Sequence, residues 1–181
     1  MIEYKKIAKE IIYTKLPKEI IEELVCWKKE CDKIKKHPLF KLKLHENVGS
    51  KTNSYQVSIP NILIENSYWL AFVLRLCGLL TNENHRNFFI RQWNGHFDGY
   101  DVWINYSYKG NSNPEHNHSG FLSGVIYLNN KNDATHFVKD NITFVGEQGD
   151  MILFPSDLKH KVETQKEQYE RITFAFNINK I

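Results

Sequence analysis

The sequence is short of cysteine, has little excess of charge of either sign, and contains no long hydrophobic run. Its three cysteines, Cys26, Cys31 and Cys77, form no Cys-x-x-Cys pair and leave an odd count. That argues against a disulfide framework and for reduced thiols in a cytoplasmic protein. Basic residues number 24 against 21 acidic ones, a net charge of +3. So even a balance, with no Lys/Arg block to track a phosphate backbone, gives no indication of nucleic acid as a partner. The opening MIEYKKIAKE lacks the apolar region of a signal peptide. The most apolar stretch, Tyr68 to Leu80, is too short for a membrane span and carries Arg75, so no membrane partner is expected. Repeats and low-complexity segments are also missing.

What is present is a chain of 181 residues, 41% hydrophobic and 13% aromatic. That is enough to bury a sizeable core, and it suits one aromatic-rich β domain. The periodicity divides it into a helical lead-in over 1–90 and a β core over 91–181. Ile7 to Tyr13 reads as an entry strand. Pro17 sits well at the start of a helix reaching Lys36, because Ile20, Leu24, Trp27, Cys31 and Ile34 recur at helical spacing; His37-Pro38 ends it. Leu39 to Asn61 is polar and irregular, with a loop at Gly49-Ser50. Asn66-Ser67 caps a second helix through Trp69, Phe72, Val73, Leu76 and Leu79-Leu80, apolar nearly all round and therefore expected to be buried. No role attaches to His85 or Arg86.

From Phe88 onward the period becomes alternating. Val102, Ile104, Tyr106 and Tyr108 fall on one face of a strand, with Trp103, Asn105 and Ser107 on the other. Lys109 to Pro114 reads as a turn. Strands follow at 122–128, 135–138, 141–145, 151–154, 161–164 and 171–178, separated by Asn-, Asp- and Gly-rich turns. Many short strands joined by tight turns point to a sandwich or jelly roll. Gly149-Asp150 is turn chemistry, not an acid/base pair.

One constellation carries chemistry. His116 and His118 are two apart, so on an extended strand both side chains face the same way and can converge on one metal ion. His160, from a separate strand, can close that site. Arg171 lies on a strand that should run back past it. The ordered set is Pro114-Glu115-His116-Asn117-His118, then Leu122 to Leu128 (LSGVIYL), then Gly149 to Pro155 (GDMILFP), then His160 and RITFAFN. It resembles the 2-oxoglutarate/Fe(II)-dependent oxygenase superfamily, and more closely the small phage and bacterial oxygenases with cores reading roughly N-x-P-x-H-x-H, L-S-G-V-x-Y-L and L-x-F-P-S-x-L-x-H-x-V. The resemblance spans about Asp101 to Asn177.

That resemblance implies a mainly β, double-stranded β-helix (jelly roll) core with the N-terminal helices packed on its outside. It also implies an Fe(II) centre, 2-oxoglutarate as cosubstrate, dioxygen as oxidant and hydroxylation of a substrate that the sequence does not name. The oligomeric state is equally open. Non-haem iron of this kind takes three protein ligands on one face and leaves three positions open. Here the superfamily's usual His-x-Asp is His-x-His. Two ligand sets follow: His116, His118 and His160, or two histidines with water or a carboxylate from Asp98, Asp101, Glu115 or Asp133. Arg171 would grip the distal carboxylate of 2-oxoglutarate through its planar fork, with Thr173 adding a hydroxyl. Asn105, Tyr106, Ser123 and Tyr127 would line the cosubstrate pocket. Trp93, Trp103 and the Arg91-Gln92-Trp93-Asn94-Gly95 stretch would border the substrate mouth.

Two other classes compete. A cupin-like metal-binding protein also uses His-x-His and a later histidine, but it usually places a glutamate where Leu122 stands, and it leaves Arg171 without a task. A non-catalytic structural protein on the same fold is the other alternative.

Overall fold

The computed structural model describes residues 2–8, 10–36, 54–82, 100–132 and 134–178. The expected helix stop at His37-Pro38, the Gly49-Ser50 loop, His85, Arg86, the stretch around Trp93, Asp98 and Asp133 all lie outside these residues. In chain order the elements are β1 (Tyr4–Ala8), β2 (Ile11–Lys15), α1 (Lys18–Lys36), β3 (Tyr55–Ser58), α2 (Asn61–Ile64), α3 (Tyr68–Asn82), β4 (Tyr100–Ser107), β5 (Asn113–His116), β6 (Leu122–Asn129), β7 (Ala134–Phe137), β8 (Ile142–Val145), β9 (Asp150–Pro155), β10 (His160–Val162) and β11 (Arg171–Ile178).

The strands form two antiparallel sheets, a seven-stranded one ordered β1-β2-β9-β6-β11-β4-β3 and a four-stranded one ordered β5-β10-β7-β8. Consecutive strands from β4 onward alternate largely between the sheets, which is the double-stranded β-helix. Period-two alternation then sorts β11 cleanly. Ile172, Phe174, Phe176 and Ile178 join the core under the helices, while Arg171, Thr173 and Asn177 line the space between the sheets. A second apolar cluster, built on Tyr127, Phe137, Ile152, Phe154 and Leu158, ties the two sheets together.

Both long helices cover the outer face of the larger sheet. On α1 the buried residues are Ile20, Leu24, Trp27 and Cys31, the stripe that a 3.6-residue period produces. Trp27 meets Trp69 of α3 edge-on at 6.1 Å and Phe174 of β11 at 6.2 Å. Fully burying aromatic side chains of this size contributes roughly 1.5–3 kcal/mol each. The start of α3 has two caps. Ser67 Oγ accepts from the Leu70 N–H (3.0 Å), as its position predicts. The carboxylate of Glu23, from α1, accepts from the N–H groups of Tyr68 (3.1 Å) and Trp69 (2.8 Å), placing negative charge where the helix dipole favours it.

The structure corrects several expectations. The entry strand at Ile7 to Tyr13 is a hairpin of β1 and β2, and β2 pairs with β9 from Ile12↔Leu153 to Lys15↔Asp150. The polar segment before α2 supplies β3, paired with β4. The N-terminal portion therefore extends the sheet as well as covering it. Asn113 and Pro114 belong to β5, not to the turn before it; the turn is tightened at Gly110, whose φ of 88° suits glycine. On α3 the side chains of Tyr68, Ala71 and Arg75 are exposed among the described residues, because only one face of the helix meets the sheet and α1. No helix among the described residues is long and apolar enough to cross a membrane.

Candidate metal centre and cosubstrate cleft

β5 and β10 are neighbours, and their register sets His160 opposite His116. The two ring centroids are 4.3 Å apart. His118 lies beyond the end of β5, so the strand alternation that suggested its direction does not apply there. Its backbone N–H donates to Ser156 O at 2.8 Å, which turns the segment back. The His118 ring ends 5.0 Å from that of His116 and 5.3 Å from that of His160. One ligand nitrogen from each of the three lies within 4.8 Å of the other two.

Hydrogen bonding selects which nitrogen is free. His116 Nδ1 lies 2.7 Å from Pro114 O, and His160 Nδ1 lies 2.9 Å from Leu158 O. A carbonyl oxygen only accepts, so each Nδ1 carries the proton and each Nε2 keeps its lone pair. A carbonyl partner on the far nitrogen is the arrangement that orients metal-ligating histidines. Burial holds all three imidazoles neutral. His160, walled by Phe154 (ring centroids 4.8 Å) and Phe137, is pushed down to about 3 by desolvation and then by the charge of His116. His118 is pushed down to about 4 by the same two causes, and His116 is lowered chiefly by desolvation. Three neutral nitrogen donors, two of them with the tautomer fixed, fit a borderline or ferrous metal ion.

Of the suggested carboxylates, Glu115 and Asp101 are not part of this group. Among the described residues only the three histidines make it up. Glu115 points away and pairs with Lys159 at 3.1 Å, and Asp101 is exposed near the far end of β4.

The three histidines open into a cleft of about 610 Å³, its mouth included, between the two sheets. Of the residues proposed to bind the cosubstrate, Asn105, Ser123, Arg171 and Thr173 line it. Asn105 Oδ1 accepts from Gln56 Nε2 (2.8 Å) and Trp103 Nε1 (3.1 Å), and its Nδ2 donates to Thr173 Oγ1 (3.3 Å). Ser123 Oγ donates to Asn177 Oδ1 at 2.7 Å. Trp103 lines the cleft too, its ring 5.8 Å from that of His118. Tyr127 stands behind the cleft. It is fully buried, its hydroxyl is 2.6 Å from Thr135 Oγ1, and the Arg171 guanidinium lies over its ring at 5.7 Å. Tyr106 is a correction. It neighbours Asn105 on β4 and so faces the opposite way, toward α1, where its hydroxyl donates to Asp32 Oδ1 at 2.8 Å and Lys35 caps its ring. Successive side chains of a strand point to opposite faces.

Arg171 is 5% exposed. Among the described residues no carboxylate is within ion-pair distance of it, and its Nε is buried without a hydrogen-bond partner. It also lines a smaller compartment of about 200 Å³ adjoining the cleft, with Asn113 and Gln165. Among the described residues, the buried polar side-chain atoms lacking a partner are Trp69 Nε1, Asn113 Oδ1, Asp140 Oδ2, Gln165 Oε1 and Arg171 Nε. Three of these five surround that compartment, so the unsatisfied polarity gathers beside the histidines. Sequence reading missed Asn113 and Gln165, because both fall in segments whose composition reads as turn. The only hint of Asn113 was its place three residues before His116.

Comparison with known proteins agrees with this geometry. Residues 129–177 match a family model described as "Putative 2OG-Fe(II) oxygenase", a segment that contains His160 and Arg171. Several solved structures share the fold. A prolyl-4-hydroxylase from Pseudomonas putida has a TM-score of 0.64 at 14% identity, covering 95% of this chain and 93% of that one. The viral collagen prolyl hydroxylase of Paramecium bursaria Chlorella virus-1, solved with 2-oxoglutarate, gives 0.53 at 16%, covering 93% and 96%. A full-length Neurospora crassa protein, solved in complex with α-ketoglutarate, gives 0.57 at 13%, covering 95% and 74%. No curated protein matches the chain. The likeness to the 2-oxoglutarate/Fe(II) oxygenases is thus one of fold over most of the chain, and of sequence over residues 129–177.

Proposed function

We propose that the protein is an Fe(II)- and 2-oxoglutarate-dependent dioxygenase. The observation that carries this is a buried Arg171, paired with no carboxylate among the described residues, in the same cleft as three convergent neutral imidazoles. A buried cation without a counter-charge is costly, so the cleft is built for an anion. His116, His118 and His160 would hold the metal and Arg171 the distal carboxylate, with Thr173, Asn105 and Ser123 offering polar groups along the cleft. Tyr127 supports the guanidinium from behind.

Neutral imidazoles add no charge, so a ferrous ion there keeps its formal +2 and Arg171 adds a further positive charge. A dianionic acid with one carboxylate for each end is the ligand such electrostatics selects. When bound, ferrous iron and 2-oxoglutarate supply the oxidising chemistry that turns dioxygen and the acid into succinate, carbon dioxide and a hydroxylated product. The chain's own contribution is to hold His116 and His160 in one tautomer, to shield His160 from water behind Phe137 and Phe154, and to fix the acid's orientation through Arg171. A cupin-like role gives Arg171 nothing to do. The three free thiols support a reducing, cytoplasmic setting.

The test is anaerobic addition of Fe(II) followed by 2-oxoglutarate, watched by visible spectroscopy. A charge-transfer band of the chelated ferrous complex is expected. Metal binding with no band and no 2-oxoglutarate affinity would overturn the reading.

A further inference from the structure

Asn113 stands where the two halves of the cleft meet. Its Nδ2 is 3.3 Å from His116 Nε2, the ring nitrogen that keeps its lone pair. The orientation of the amide follows from the ring. His116 Nδ1 donates to Pro114 O, so Nε2 of the neutral ring accepts, and the group beside it is the amide NH2. The other end of the amide, Oδ1, is buried and has no partner. Asn113 lines both the cleft and the compartment that holds Arg171 and Gln165.

This position gives the amide two states. With His116 free, one of its two N–H bonds is satisfied by Nε2. Once that lone pair is given to a metal ion, this N–H loses its acceptor. The amide then needs an acceptor within the cleft, on the side toward Arg171.

We propose that Asn113 is a cosubstrate-binding residue, one of whose two N–H donors becomes available only when His116 takes a metal ion, and that it then donates to a 2-oxoglutarate oxygen near the metal. The inference rests on the oxygenase reading above and adds a residue and a coupling to it. Metal binding prepares the acid's site in two ways, by offering a coordination position and by releasing an amide hydrogen. In the metal-free protein the same hydrogen is spent on His116, so Asn113 contributes less to the acid's affinity there.

Calorimetry with Mn(II) and 2-oxoglutarate tests this without turnover. Asn113→Ala should bind Mn(II) as tightly as wild type or somewhat more tightly, because a competitor for Nε2 is gone. Its 2-oxoglutarate affinity in the Mn(II)-loaded state should fall about tenfold, while the weak affinity of the metal-free protein falls several-fold less. Asn113→Asp, which keeps the shape but replaces the donor with a negative charge, should lose at least as much affinity for the acid. Equal 2-oxoglutarate affinity for loaded wild type and Asn113→Ala overturns the inference, as does an equal loss in loaded and metal-free protein, which marks a general disturbance of the cleft. A wild-type protein that binds neither Mn(II) nor 2-oxoglutarate overturns the oxygenase reading itself.

Discussion

His160 faces His116 across the β5–β10 pairing, with ring centroids 4.3 Å apart and each Nδ1 tied to a backbone carbonyl two residues before it. The two rings are held by the same device from opposite strands, so neither can compensate for loss of the other. His116→Ala and His160→Ala should each weaken Fe(II) binding by more than the roughly 10–100-fold that loss of an outer hydrogen-bond partner costs a metal site. Far-UV circular dichroism should stay close to wild type. Unchanged affinity in an anaerobic titration of either variant would remove the proposed centre.

His118 is placed by a loop, not by a strand, so its contribution is tested separately. His118→Ala should lose Fe(II) affinity nearly as severely as His116→Ala. His118→Asp should retain metal, since a carboxylate oxygen can take the same vertex, and it restores a negative charge that favours oxidised iron. Consumption of 2-oxoglutarate without added substrate should be at least as fast in the Asp variant as in wild type. Wild-type Fe(II) affinity in the Ala variant would mean that His118 is not a ligand.

Arg171 sets function against stability. Arg171→Ala should weaken 2-oxoglutarate binding by roughly 2–5 kcal/mol, the range for a desolvated charge pair; Arg171→Lys should recover only part, lacking the fork. Because the wild-type cation is buried and meets no carboxylate among the described residues, Arg171→Met should raise the urea midpoint of the ligand-free protein while abolishing tight 2-oxoglutarate binding. A lower midpoint for Arg171→Met would show that the cation is already satisfied within the fold.

The histidines also make a prediction about acid. Their folded-state values lie below the ordinary 6.5, at about 3 for His160 and about 4 for His118, so below pH 6.5 the unfolded chain takes up protons that the folded one refuses. Metal-free protein should therefore lose stability steadily as pH falls from 6.5 toward 4, with the full contribution present above 6.5. His160→Leu should flatten the urea midpoint between pH 6.5 and 5. A wild-type midpoint constant over that interval would contradict the burial of these rings.

Much of this was legible in the sequence where turn chemistry punctuates the strands. β6 to β11 lie within one or two residues of their expected bounds because segments such as Asn129–Asn132 and Gly149, with its φ of 83°, force the chain to reverse. Face assignment is harder. Both sides of the larger sheet are covered, by helices on one and the smaller sheet on the other, so alternation of polar and apolar residues fades. The alternation in β4 nevertheless sets Tyr106 and Asn105 on opposite faces, and of the two it is Asn105 that lines the cleft. The Glu23 cap on α3, the amide of Asn113 and the pairing of β3 depend on tertiary placement that no local pattern encodes.

β11 follows every other described strand in the chain, yet it lies between β6 and β4 and pairs with both along its length. Until it enters, those two strands have no common neighbour, and its insertion is a long-range step of the kind that slows folding. The same strand begins with Arg171. A partly assembled sheet therefore has no grip on the acid, and every molecule that binds 2-oxoglutarate through Arg171 has already closed its sheet. The cosubstrate thus discriminates between finished and unfinished chains, and at concentrations above its dissociation constant it draws the folding equilibrium toward the finished one.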